Sequence, residues 1–174
     1  MAQRIIGLDL GSRNIRVSIV ETTLRTVELV GVDVEPVLQI PDAALVPDSG
    51  GEPEGDDAAL LAQRREAARK DARRESLVRA LKSLEGRGVL DADHVVTSMP
   101  GDRVVSRILE FPFSDPKRIA QIIGFELEEH IPFELEDVLV DHCILSSSED
   151  GARVLASAIP MDDVSETLDI LNSR

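Results

Sequence analysis

Asp9, Gly11, Ser12, Arg13, Asn14 and Arg16 fall in one run, LDLGSRNIR, whose residue types fit phosphate binding. A glycine lets backbone N–H groups approach an oxyanion, a serine hydroxyl adds a donor, and an aspartate ending a strand can hold a metal-bound water. The same residues also suit an ordinary hairpin, in which Gly11 and Asn14 supply turn conformations and Asp9 closes a strand. The run alone does not choose between the two.

Other candidate chemistry is thinner. His142 and Cys143 are neighbours in an expected strand, so their side chains point to opposite faces and cannot form a thiolate–imidazolium pair. Cys143 is the single cysteine of the chain, which excludes an internal disulfide and reads as a core thiol. His94, His130 and His142 lack metal-ligand spacing. The acidic runs Glu126 to Glu129 and Glu134 to Asp137 read as a solvated helix face and turn.

The glycine turn needs strands to position it, and the flanking pattern supplies them. Ile6, Leu8 and Leu10 share one face of a strand at 4–10, and alternation resumes after the turn with Ile15, Val17 and Ile19. A third strand is predicted at 26–35, with Val27 and Leu29 facing one way and Val30, Val32 and Val34 the other. Residues 36–56 carry four prolines and end in PDSGGEPEGDD, a composition that reads as an exposed, unpacked loop. A helix follows to about Leu84, capped by Asp56 or Asp57 and stopped by Gly86 and Gly88. Its first half is basic, with Arg64, Arg65, Arg69, Lys70, Arg73 and Arg74, and reads as a solvated extension.

Strands are predicted at 93–99 and 104–110, a helix at 115–130, strands at 138–145 and 153–159, and a last helix with Val164, Leu168 and Leu171 at i, i+4, i+7. The order is βββ-α-β, an inserted β-α-β, then β-α. All four phenylalanines lie between Phe111 and Phe133, and the chain has no Trp or Tyr. Pro112, Pro116 and Pro132 bound the helix in this block, with Ser114 or Asp115 as N-cap. At about 100° per residue, Ile119, Ile122, Ile123 and Leu127 form a stripe with Glu126 inside it. That glutamate is either paired to a cation or set to meet a partner's amine or backbone.

Composition sets the outer limits. The chain has 174 residues, 43% of them hydrophobic, and a net charge of -14, so nucleic acid is disfavoured as a global partner. The N-terminal apolar run is too short for a secretory signal, and no stretch reaches the roughly 20 apolar residues of a membrane span. The expectation is a soluble cytoplasmic protein.

The segments GLDLGSRNIRVSIVE, MPG at 99–101, FPF at 111–113 and FELEEHIPFELEDVLVD at 125–141 together resemble the PilM/GspL family of actin-like proteins. These serve type IV pilus and type II secretion assembly platforms at the inner membrane. The resemblance implies an α/β fold with a mixed sheet: the first lobe of an actin-like ATPase (ribonuclease H-like) fold. It assigns 1–100 and 146–174 to the lobe and 101–145 to an inserted small β-α-β subdomain. A second lobe is absent, so the chain is expected to be truncated.

The same resemblance implies a non-catalytic scaffold, peripheral at the inner membrane, with a PilN-like or other platform membrane protein and the assembly ATPase as partners. A groove between the subdomain and the sheet would receive the partner's N-terminal peptide, with Phe125, Glu126, Glu129 and Phe133 as its binding residues. Self-association is a further expected contact, and membrane contact is indirect. ATP with Mg2+ would occupy a half-site on Asp9, Gly11, Ser12, Arg13, Asn14 and Arg16. Arg16 stands where PilM-like members commonly carry lysine, which keeps the charge and changes its reach. The competing expectations are an actin-superfamily ATPase or kinase lobe and a cell-division protein resembling FtsA. No second phosphate loop or catalytic acid is visible for the first, and no terminal amphipathic helix for the second.

Overall fold

The computed structural model describes residues 2–41 and 56–173. It divides into two compact units, Met1–Ser98 with Ile170–Arg174, and Met99–Asp169.

The first unit is a four-stranded sheet in the order β3-β2-β1-β4, built from β1 (Gln3–Leu10), β2 (Asn14–Thr22), β3 (Val27–Pro36) and β4 (His94–Thr97). The first three strands pair antiparallel as expected, and β4 joins β1 in parallel after the helix α1 (Asp56–Gly86). A parallel partner requires such a crossover. Arg4 N–H donates to Asp93 Oδ2 at 2.8 Å and Asp93 N–H to the Arg4 carbonyl at 2.9 Å, which pins the start of β4. The alternating residues Ile6, Leu8, Leu10, Ile15 and Val17 are buried in one core with Leu77, Leu81 and Leu84 of α1.

The end of α1 follows from Gly88. Its φ of +71° is left-handed, and Val89 N–H reaches the Leu84 carbonyl at 3.1 Å while Gly88 N–H reaches Glu85 at 2.8 Å. That pair of bonds is the Schellman closure, which satisfies carbonyls the helix would leave open. Arg87, one residue before, bonds Asp33 at 3.3 Å and Glu35 at 2.8 Å and so ties the helix end to β3.

Two expectations for this unit change. A bulge between Ile19 and Val20 shifts the register, so Thr22, Val20, Ser18 and Arg16 pair with Val27, Leu29, Val32 and Val34. One inserted residue reverses side-chain parity, so these four apolar residues share a single face, instead of dividing at Leu29, and all are exposed. The stretch 36–56 is also not uniformly unpacked: Pro36 closes β3, and Val37 is 5% exposed, with its N–H on the Arg13 carbonyl at 2.8 Å. The rest of that expected loop, 42–55, and the side chains of the expected caps Asp56 and Asp57 lie outside the described residues.

The second unit is a three-stranded antiparallel sheet, β5-β7-β6, formed by β5 (Val105–Phe111), β6 (Val138–Ser148) and β7 (Gly151–Pro160). The helix α2 (Pro116–Glu128) crosses between β5 and β6, and α3 (Met161–Asn172) follows β7. Residues 146–174 were expected with the first lobe, but β7 is the central strand here. Its Ala152, Val154, Ala156 and Ala158 are buried in one cluster with Phe111, Ile119, Ile123 and Leu127. The boundary therefore falls at Met99 and within α3, and the subdomain is β-α-β-β. Arg103 joins its two ends, with Nη1 on Asp163 Oδ1 at 2.8 Å and Glu166 Oε2 at 2.9 Å. The hydrogen bond that Arg103 donates to Glu166 holds the Arg103 pKa above its ordinary value against the opposing effect of burial, and the charges of both carboxylates add to it.

Candidate functional site

The hairpin register sets Asp9 directly opposite Arg16. Arg16 Nη1 donates to Asp9 Oδ2 at 2.8 Å, with the side chains 62% and 50% exposed. Between them, Leu10 pairs with Ile15, leaving Gly11, Ser12, Arg13 and Asn14 as the turn. Gly11 has no left-handed φ, so its role is spatial: a Cβ there would stand 2.6 Å from the Asn14 carbonyl oxygen. Asn14 likewise needs no left-handed backbone.

The turn is fastened from outside. Gln39 Nε2 donates to the Ser12 carbonyl at 2.8 Å and to the Val37 carbonyl at 2.9 Å, and Val37 N–H donates to the Arg13 carbonyl. Two turn carbonyls are thereby held by the segment after β3, while the Ser12 and Arg13 side chains stay exposed. Gln39 is a positioning residue that the sequence reading did not single out. It lies in a proline-rich stretch, where no periodicity marks a packed side chain.

The exposed Ser12 and Arg13 side chains are donors of the kind a phosphate group accepts from, whereas the space beside Gly11 is taken by the Asn14 carbonyl oxygen. A metal-bound water fits less well, because the Asp9 carboxylate already accepts from a guanidinium. Among the described residues, no group of three or more His, Cys, Asp or Glu side chains is placed to hold a metal ion.

The four candidate partner residues lie on or after α2. Asp115 caps this helix, its carboxylate accepting from Lys117 N–H at 3.0 Å, with Pro116 in the first turn. Ile119, Ile123 and Leu127, at i, i+4, i+8, are the buried residues of the helix. Glu126 is exposed, so the stripe it was expected to interrupt is narrower and lies to one side of it. Phe125 points away from that stripe by helical spacing and is 68% exposed; Ile122 and Glu129 share its face at i-3 and i+4. Phe133, beyond the helix end, is 37% exposed.

The other two phenylalanines do different work. Phe111 is buried, its ring centroid is 5.6 Å from that of Phe113, and the Arg118 guanidinium stands 4.0 Å over the Phe113 ring. The aromatic block thus splits into a core pair and an exposed pair.

No family model matches this sequence, and no curated protein does. Among solved structures, a chain of the PilM-PilN type IV pilus biogenesis complex is similar over 97% of this chain and 44% of its own, with 21% identity and a TM-score of 0.59. The cytoplasmic domain of EpsL, an inner membrane component of the type II secretion system of Vibrio cholerae, is similar over 99% of this chain and 53% of its own, at 14% identity and TM-score 0.48. A PPX-GPPA enzyme of Aquifex aeolicus reaches a TM-score of 0.28, with 11% identity, over 56% of this chain and 26% of its own. The chain spans less than half the length of the pilus-complex chain that it matches. It has that chain's fold, a mixed α/β fold with a mixed sheet, as the motifs implied. Among the described residues, no helix is long and apolar enough to cross a membrane.

Proposed function

We propose that this protein is a cytoplasmic scaffold of a type IV pilus or related type II secretion platform, and that it binds a short N-terminal peptide of an inner-membrane partner. The observation that carries this reading is Phe125: a large aromatic ring, 68% exposed, on the face of α2 opposite the helix's buried stripe. Exposed aromatic side chains anchor contacts because they bury much area with little loss of side-chain freedom. Glu126, Glu129 and Phe133 border Phe125, and the half-buried Ile122 on the same side packs against the core. The pilus-complex chain with the same fold is recorded with PilN, which supports a PilN-like membrane protein as partner.

Such a scaffold would couple its membrane partner to the assembly ATPase and would itself catalyse nothing. ATP with Mg2+ would meet the glycine turn as a half-site, with Ser12 and Arg13 near the phosphates and Arg16 released from Asp9 if the carboxylate turned to a metal-bound water. The Asp9–Arg16 pair would have to open for that binding. Phosphoryl transfer needs a second clamp and an oriented nucleophile besides.

The test is a titration of the intact chain with the cytoplasmic N-terminal peptide of a PilN-like inner-membrane protein. Saturable binding that Phe125→Ala removes supports the reading. Binding that ignores this substitution would move the contact elsewhere.

A further inference from the structure

α1 does more than extend into solvent in its basic half. Arg69, Ala72, Arg73 and Ser76, at i, i+3, i+4 and i+7, line a cavity of about 200 Å3 together with Ser12 and the 37–40 segment. At about 30 Å3 per water, that is room for several waters or for one compact anion. Its lining sets cationic and polar side chains among the aliphatic Val37, Leu38, Ile40 and Ala72. Arg73 is half-buried there, unlike the exposed Arg64, Arg65, Lys70 and Arg74 of the same helix half. Ser76 is 4% exposed and contributes to the lining. The latch through Gln39 fixes the Ser12 side of the wall, because its amide holds both the Ser12 and Val37 carbonyls. Arg69 adds positive charge from the next turn, at 3.8 Å from its Glu66 partner.

We infer that this cavity binds a phosphate group, with Arg73 as the principal ligand and Arg69, Ser12 and Ser76 supplying further charge and donors. Guanidinium donors suit phosphate, whose negative charge and several acceptor oxygens can take forked bonds. A tetrahedral anion can use donors that arrive from a helix on one side and a turn on the other. A planar carboxylate would use one fork and leave the hydroxyl donors idle. The phosphate could belong to a free phosphate compound or to a nucleotide. The inference does not rest on the peptide contact of α2, and either can fail alone.

Calorimetric titration of the intact chain with pyrophosphate at low ionic strength tests it, with 31P line broadening as a second readout. The expected result is saturable binding that Arg73→Ala weakens at least tenfold and Arg73→Lys weakens less, with circular dichroism unchanged. Arg79→Ala removes the same charge from the same helix outside the cavity and is expected to leave binding intact. ATP with Mg2+ that displaces pyrophosphate would support the site and identify a nucleotide as the source; failure to displace it would support the site and favour a free phosphate compound. Absence of saturable binding, or equal weakening by Arg73→Ala and Arg79→Ala, would overturn the inference. Should Arg73→Ala not fold, wild-type affinity in Arg73→Lys together with wild-type affinity in Ser76→Ala would overturn it as well.

Discussion

Arg16 and Asp9 face each other across the β1–β2 hairpin with Nη1 2.8 Å from Oδ2. The pair occupies the side chains that a nucleotide half-site would use, so its strength bears on whether the site can open. Both groups are half exposed, and solvent screens them. A double-mutant cycle with Arg16→Ala and Asp9→Asn is expected to give a coupling of about 0.2–1 kcal/mol in urea unfolding. A coupling well above that would mean that Asp9 is committed to Arg16.

Gly11 is expected to tolerate no side chain. A Cβ would meet the backbone carbonyl oxygen of Asn14 at 2.6 Å, and relief requires the hairpin to shift. Gly11→Ala should cost about 1–3 kcal/mol in denaturant unfolding. A stability equal to wild type would show that the turn is slacker than its geometry.

The two classes of phenylalanine separate under truncation. Phe111→Ala opens the second core and should cost about 3–5 kcal/mol. Phe125→Ala, at an exposed position, should stay within about 0.5 kcal/mol of wild type. Comparable losses at both sites would contradict the division of the aromatic block.

Arg103 bridges Asp163 and Glu166 from a site 21% exposed. Its pKa is raised above the ordinary guanidinium value, first by the hydrogen bond to Glu166. A raised cation stabilises the fold fully below its unfolded pKa and loses that effect only as pH rises through the folded value. Its contribution is therefore constant from pH 6 to pH 9. Arg103→Ala should cost about 1 kcal/mol, equally at both pH values, as read by thermal or urea unfolding. A loss that changed sharply over this range would point to a different titrating group.

Much of the fold was legible from short-range pattern. Ile6, Leu8, Leu10, Ile15 and Val17 alternate cleanly and are buried as a set, and Leu77, Leu81 and Leu84 mark the packed half of α1 by helical spacing. Gly88 marked its end. What escaped was set by tertiary geometry. Nothing local says that β7 enters the sheet between β5 and β6, and a bulge beside Val20 reverses the parity of Val27 and Leu29 without a sequence signal. Val37 and Gln39 sit among prolines, yet one packs and the other holds the turn. In α2 the projection included Glu126 in the apolar arc, because Ile122 widened it; contact with the sheet buries only Ile119, Ile123 and Leu127. The glycine turn was recognisable by residue type, whereas its Asp9–Arg16 closure required the register.

The most direct test of the scaffold reading is a calorimetric titration of the intact chain with the cytoplasmic N-terminal peptide of a PilN-like inner-membrane protein, run in parallel on wild type and Phe125→Ala. The account predicts saturable one-to-one binding to wild type and at least a tenfold loss in the variant, at unchanged unfolding midpoint. No binding to wild type, or equal affinity for both proteins, would contradict it.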